Sequence, residues 1–474
     1  MRQNAELVAL GLALLGVLLA PEPLWAQSGS PSSEAPAAAR ADRKAVQAIR
    51  RHAWPISGSV KDYDRLLSRL AGKRFVLLGE DTHGTQEIYL ERTRITRRLV
   101  TELDFDAVVI ESDYTPVART NRFLLGEGGD PDAASALGEH QRFPIWMWVN
   151  APFRDLIDWL RHYNRATGRR VQVFGMDLHG MSAAVTAIRE SMDTLAPHAL
   201  EPLEAQLACL AAFEFQPDRY RAAISSNVEG SSCEAATSQA VLLVENELTA
   251  LPRPEAQSTS VFDLRRNLAL LAASEAYARV QVKSGVDAWN LRDRHMAATA
   301  DAIAEHLETR LGRPARLALW AHNTHMSDAR STDRGRHGAY LSLGQIMREN
   351  HGDETYILGF STRLGTVRAA ANWGERDRVF SLRRPAWESV SALFGRTRLL
   401  AFCLALDAAD PGLAPLEQNI PMRAIGVVYW PHAERSEHYF RGDLRGMFDG
   451  LIHLDRTRAL TPLDGNRRLP DRGN

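Results

Sequence analysis

Apolar and polar positions change their period several times along the chain. Between residues 74 and 175, short apolar runs, Phe75-Val-Leu-Leu78, Ala107-Val-Val-Ile110 and, interrupted only by Gln172, Val171-Gln-Val-Phe174, alternate with stretches whose apolar residues recur every three or four positions. A short apolar run between polar borders reads as a strand covered on both faces, and the longer spacing as one face of a helix. One helical pattern runs to Leu103 with Ile88, Ile95, Leu99 and Leu103 on its stripe, and a second covers residues 152–164. Residues 181–312 are rich in Ala, Leu and Glu without a convincing strand, which predicts a helical insertion. Strands resume at Leu317-Ala-Leu-Trp320, Tyr356-Ile-Leu-Gly-Phe360, 399–406, 425–430 and 451–454. The expectation is an α/β fold, a mainly parallel sheet core flanked by helices and interrupted by the helical insertion.

The two ends read differently. Residues 1–26 place Arg2 before a 14-residue apolar run, Leu7 to Ala20, followed by Pro21, Pro23 and the small Ala26. That order is a secretory signal peptide, and the run is short of the ~20 residues a membrane span needs. Residues 27–40 read as a Ser/Pro/Ala linker, 41–463 as the domain and 464–474 as a polar tail. A periplasmic or secreted protein without stable membrane insertion is expected.

Composition narrows the function. Lys plus Arg is 57 against 58 for Asp plus Glu, so no basic excess exists to attract nucleic acid. Cys209, Cys233 and Cys403 are too few for a disulfide framework and form no CxxC; a single Cys209 to Cys233 bridge is open, and Cys403 lies inside an apolar run.

The chemistry collects where strands end. In an open parallel sheet, ligands bind outside the carboxyl ends of the strands. Here those ends run into Glu80-Asp81-Thr82-His83-Gly84, into Glu111, into Asp177 and His179, and into His322-Asn323-Thr324-His325. One such residue alone would be expected to be a turn former or cap, the role open to Asp81 or Thr82 before the following helix. Four loaded ends on one edge make a site. Arg92 lies on the apolar stripe of its helix, four after Ile88, and a buried guanidinium needs a carboxylate, with Glu80 and Glu111 the candidates. Trp146 and Trp148 suggest an apolar floor for substrate, and Asp177 a substrate contact. His295, among charged neighbours on a helix, reads as a surface residue.

Several absences matter. No G-x-S-x-G elbow supplies a serine nucleophile, no G-x-G-x-x-G or P-loop cradles a nucleotide cofactor, and His322/His325 lack the glutamate of HExxH. Acid/base groups without a nucleophile or cofactor point to water activated directly.

With these residues in view, the sequence resembles the erythromycin esterase family. The matching segments include LLGEDTHGTQEIYLERTRITRRLV (77–100), VVIES (108–112), WMWVNAPFRDLIDWLRHYN (146–164), VFGMDLHG (173–180), LRDRHMAATADAI (291–303) and LALWAHNTHMS (317–327). The resemblance implies a catalytic set of Glu80, His83, Arg92, Glu111, His322 and His325 and a small-molecule ester or macrolactone as partner, while the missing HExxH and nucleotide-binding patterns lead to the expectation of no metal and no cofactor. The leader and residues 195–260 depart from the family pattern. The expected mechanism has His83 as general base with Glu80 fixing it. Arg92, held by Glu111, and His322 or His325 serve the oxyanion and leaving group. A metal-dependent hydrolase using the three histidines, and a secreted binding protein for an apolar ligand, are the alternatives.

Overall fold

A computed structural model describes residues 34–463 except 227–231 and 408. The stretches expected as signal peptide and polar tail, and the first half of the expected linker, lie outside the described residues. A helix, Glu34–His52, begins within the stretch expected as linker. Its alanine-rich start carries helix propensity that a reading of apolar content alone overlooks.

Eleven strands follow: β1 Ala53–Pro55, β2 Phe75–Leu78, β3 Ala107–Asp113, β4 Gln172–Asp177, β5 Leu317–Trp320, β6 Thr355–Ala369, β7 Arg378–Ser381, β8 Ala401–Ala405, β9 Ile420–Arg423, β10 Tyr439–Gly442 and β11 Gly450–Thr457. The main sheet has the order β1-β8-β11-β6-β2-β5-β3-β4, with β7 on β6, and β9 pairs with β10 separately. From β11 to β4 every neighbouring pair is parallel. Antiparallel β8 and the β1 edge complete it.

Alternation along each strand splits the core into two layers. Phe75, Leu77, Val109, Leu317 and Leu319 face one, beside Met296, Ala300 and Ile303 of the Gly285–Leu311 helix. Val76, Leu78, Val108, Ile110 and Trp320 face the other, beside Ile88, Tyr89, Ile95 and Leu99 of the Gln86–Glu102 helix. Between Met181 and Leu311 the described residues form helices and no strand. They hold a core of their own around Val185, Leu207 and Val244, tied by a Cys209–Cys233 disulfide with Cα atoms 5.6 Å apart. Among the described residues no helix is long and apolar enough to cross a membrane.

The run 425–430, expected as a strand, is not one. Its backbone groups serve loops instead: Ile425 O accepts from His83 N at 3.1 Å, Ile425 N donates to Asp81 O at 2.9 Å, and Val427 O accepts from Ala370 N at 2.8 Å. The strand in this region is β9, whose Pro421 sits in a short edge ladder where a missing N–H is tolerated.

Register sets the site. Leu78 lies opposite both Trp320 and Leu358, and Ile110 opposite both Trp320 and Gly175, so β2 and β5 end level while β3, β4 and β6 run on past them. The chain leaves β2 past β5 to reach β3, and leaves β5 past β2 to reach β6. These opposite crossings put the topological switch point, where such sheets open a crevice, between β2 and β5.

Candidate active site

The loop after β2 is packed too closely for larger residues. A Cβ on Gly79 would lie 2.1 Å from Asn323 Oδ1, and one on Gly84 would lie 1.9 Å from Arg368 O. Asn323 ties the two sides of the crevice, its N donating to Glu80 O at 2.7 Å and its Nδ2 to Phe360 O at 2.7 Å. Glu80 and His83 are thereby fixed opposite His322.

Glu80 is fully buried and accepts from two sides, His83 Nδ1 at 2.8 Å and Arg92 Nη2 at 2.7 Å. A carboxylate only accepts, so the Nδ1 of His83 carries the proton and neutral His83 keeps a lone pair on Nε2. Burial works to lower the His83 pKa, but the Glu80 hydrogen bond and the charges of Glu111 and Glu80 outweigh it and raise the pKa above its ordinary value.

His322 has the opposite polarity. Its Nδ1 accepts from the Thr324 backbone N at 3.3 Å and faces the Thr324 hydroxyl at 2.8 Å, which leaves the proton on Nε2. That Nε2 is buried and makes no well-formed hydrogen bond among the described residues, with the Asp81 backbone close enough to bear on the ring. Burial first, then the adjacent His83, pushes the His322 pKa well down, so the ring stays neutral. The two imidazoles stand 4.8 Å apart between centroids, one offering a lone pair and the other an N–H.

Glu111, Arg292 and Asp177 form a chain of charges beside them. Arg292 grips Asp177 with Nε at 2.8 Å and Nη2 at 2.7 Å, and Nη2 also reaches Glu111 Oε1 at 2.8 Å. The other Glu111 oxygen accepts from His322 N at 2.9 Å. Burial would raise the Glu111 pKa, but the charges of His325, Arg292 and His83 outweigh it and hold it down to about 2.

His325 has no free nitrogen. Nδ1 faces both Asp293 oxygens at 2.9 and 3.0 Å, Nε2 receives Arg292 Nη1 at 3.0 Å, and Trp289 stacks on the ring at 4.3 Å. Both nitrogens being engaged, and one of them by a guanidinium, His83, His322 and His325 do not fit a metal-ligand set. Among the described residues no group of three or more His, Cys, Asp or Glu is placed to hold an ion.

Four expectations need correction. Arg92 pairs with Glu80, not Glu111, because its guanidinium is sealed at 0% exposure between the Tyr89 and Trp320 rings, 4.5 and 4.7 Å from their centroids. Enclosed there, it cannot meet an oxyanion. Trp146 and Trp148 are buried rather than a surface for ligand: Trp148 donates Nε1 to Glu111 O at 3.0 Å and packs on Phe153, while Trp146 lines a separate cavity of about 270 Å³ with Phe143, Arg368 and Leu463. Asp177 is occupied by Arg292. His295 is half-buried, with burial lowering its pKa to about 4.

Arg292, Asp293, Trp289 and Asn323 were missed by the sequence reading. Asp293 falls on the buried stripe with Ala288, Met296, Ala300 and Ile303, so a charge at an apolar helical position, the sign that marked Arg92, was there to be read.

A second histidine constellation is present elsewhere. Ser361 Oγ and His453 Nδ1 are 2.7 Å apart and Asp455 lies beyond, 4.0 Å from His453 Nε2. Ser361 and His453 are both 0% exposed, so no substrate reaches this triad-like group and it serves the β6–β11 core.

Comparison with known proteins agrees with the architecture. A family model described as erythromycin esterase matches residues 100–457, which takes in Glu111, Arg292 and both later histidines, while Glu80, His83 and Arg92 precede it. Erythromycin esterase type I of Escherichia coli is 28% identical over 117 residues, 25% of this chain and only 27% of that protein. Erythromycin esterase type II of Escherichia coli is 20% identical over 417 residues, covering 84% of this chain and 92% of the relative. Among solved structures, a histidine-to-asparagine variant of an erythromycin esterase in its open conformation superposes with a TM-score of 0.61 at 17% identity. That match covers 84% of this chain and 94% of that one, a likeness of fold.

Proposed function

The chain belongs to the erythromycin esterase family, and from that premise we propose that it hydrolyses an ester or macrolactone by direct attack of water, with His83 as general base. The observation that carries this reading is the pairing of a His83 lone pair, backed by Glu80 and Arg92, with the neutral N–H of His322 across the β2–β5 crevice. His83 Nε2 takes a proton as water attacks the carbonyl, and the buried Glu80 stabilises the imidazolium that forms. His322 Nε2–H donates to the oxygen on which negative charge develops. His83 then returns its proton to the leaving alkoxide as the tetrahedral intermediate collapses.

A positioned base of this kind contributes ~10²–10⁴ in rate and one oxyanion donor about 3–4 kcal/mol. Glu80, Arg92, Glu111, Asp293, Arg292 and His325 act as positioning residues. The charges of Glu80, Glu111 and Arg292 bear on the protonation of the imidazoles, and the others hold these groups in place. A macrolide is the substrate class that the two named relatives suggest, and resistance to such an antibiotic is the role that would follow. Export to an oxidising compartment is part of the same reading, supported by the leader sequence and by the Cys209–Cys233 disulfide, a bond rare in the cytosol.

The test is product analysis. Purified protein is incubated with macrolactones and simple esters, and the products are weighed for addition of one water. Turnover that disappears in His83→Ala supports the reading, and binding without turnover in the wild-type protein overturns it.

A further inference from the structure

Trp146 is too buried to floor the crevice between the imidazoles, but it walls the separate cavity of about 270 Å³ beside the His83 loop. Three stretches far apart in sequence build that cavity. Residues 143–149 supply Phe143, Trp146 and Val149, and the segment ending in Leu463 is tied to them, Leu463 N donating to Val149 O at 3.1 Å and Ala151 N to Thr461 O at 3.1 Å. The β6–β7 hairpin supplies the third side, where Trp373 meets the Phe143 ring at 5.2 Å. Arg368 of β6 fixes the hairpin in place, its N donating to Gly84 O at 3.0 Å and its Nε to Leu460 O at 2.6 Å. None of Glu80, His83 and His322 lines the cavity, so it is a compartment distinct from the imidazole pair that adjoins it through the Gly84 backbone.

The wall is apolar, and the hairpin brings charge to it. Arg368 is paired with Asp377, and Glu375 accepts from Asn372 Nδ2 at 2.8 Å. Arg376 and Arg378 also line the cavity, and neither guanidinium forms an ion pair or a hydrogen bond with a described residue, Arg378 lying over the Phe380 ring at 4.7 Å. Three lining arginines against two lining carboxylates leave one positive charge in excess. The cations around the cavity do not change that balance, since Arg142 is matched by Asp113, Arg154 by Asp155 and Arg458 by Glu87. The wall adds one more donor, because Trp146 Nε1 is buried without a hydrogen-bond partner among the described residues.

Guanidinium and indole N–H groups only donate, so the ligand has to accept, and the excess cation favours an anion over a neutral acceptor. A carboxylate meets both demands, while the aromatic and aliphatic side chains call for an apolar body. The volume is small for a ligand pocket, which limits that body to a short chain or a single ring. We propose that this cavity is a binding site for a small apolar monocarboxylate, its body against Phe143, Trp146, Val149 and Leu463 and its charge at Arg376 and Arg378. The site goes beyond the hydrolase reading and stands without it.

The test titrates the full chain by calorimetry with octanoate, and with 1-octanol and octylammonium as its neutral and cationic counterparts. Octanoate is expected to bind about tenfold or more tightly than octylammonium. Arg376→Gln with Arg378→Gln, both at exposed positions where folding is little affected, should weaken octanoate about tenfold and leave octanol unchanged. Val379→Trp places a bulky ring at the cavity from a position that is 54% exposed, and should weaken octanoate and octanol together. His83→Ala should bind octanoate as the wild type does. Octanoate that fails to bind the wild-type chain, that binds no better than octylammonium, or that keeps its affinity in the cavity variants while losing it in His83→Ala, overturns the proposal. None of these titrations involves turnover, so the site and the hydrolase reading fail separately.

Discussion

Glu80 and Arg92 are both sealed from solvent, and each is tolerable only because of the other. Removing one partner of a buried pair costs about 3–5 kcal/mol, more than the pair contributes, because a charge is left uncompensated. Arg92→Ala is therefore expected to lower stability by that order in denaturant unfolding. A double-mutant cycle of Arg92→Met with Glu80→Gln should show strong coupling, where one with Glu111→Gln should be close to additive. Reversal of those couplings would restore the Arg92–Glu111 pairing expected from sequence. On the proposed mechanism Glu80 also decides when His83 is a base. The His83 pKa stands above 6.5, so kcat/KM is expected to fall as pH drops through that raised value and the imidazole becomes protonated. In Glu80→Gln the hydrogen-bonded charge is gone, and the acid limb should move to lower pH while the plateau drops by ~10²-fold. An unmoved limb would show that Glu80 does not govern His83. Arg92 was legible as an anomaly, a cation on an apolar stripe. Its partner was not, because in the sequence Glu80 and Glu111 both stand at the ends of apolar runs and only the β2-β5-β3 order separates them.

The elements divide into those that local pattern determines and those that distant contacts determine. β2 and β5 coincide with their four-residue apolar runs, since a strand covered on both faces needs no polar alternation. The 425–430 run has the same texture but spends its backbone on the His83 loop and on Ala370, partners that no local spacing reveals. Arg292 belongs with it: its contacts reach Asp177 and Glu111, 115 and 181 residues earlier in the chain. This residue fastens the helical layer to the sheet. Arg292→Met should leave Asp177 and Glu111 unpaired, lower kcat through loss of the Glu111 and His325 positions, and reduce stability, by less than for Arg92 because 16% of the side chain is exposed. Arg292→Lys should recover part of the stability but little of kcat, since an ammonium cannot span Asp177, Glu111 and His325 together. Equal recovery of both would make Arg292 a purely structural tie. The disulfide closes 24 residues of the helical layer, and Cys209→Ser with Cys233→Ser is expected to cost ~3 kcal/mol, read as a lower Tm.

Across the whole molecule, four neighbouring parallel strands, β2, β5, β3 and β4, bring Glu80, Glu111, Asp177 and His322 to one edge, and a helical layer closes over it with Arg292 and Asp293. The sheet and the site's location were legible because strand ends carry ionisable groups in an otherwise apolar pattern. The layer's contribution was hidden in a long Ala/Leu/Glu stretch whose few informative charges look like any solvated helix face. Export is checked by N-terminal sequencing of protein recovered outside the cytoplasm, which should begin near Gln27; retention of Met1 in a cytoplasmic protein would contradict it. The central claim, water activated by His83, is tested most directly by a single turnover of a macrolactone in ¹⁸O-water with enzyme in excess. The account predicts one ¹⁸O in the new carboxyl group, no label in the protein, and a rate in folded His83→Ala lower by ~10²–10⁴. Label appearing on Glu80 or another carboxylate, or a His83→Ala rate equal to that of the wild type, would contradict it.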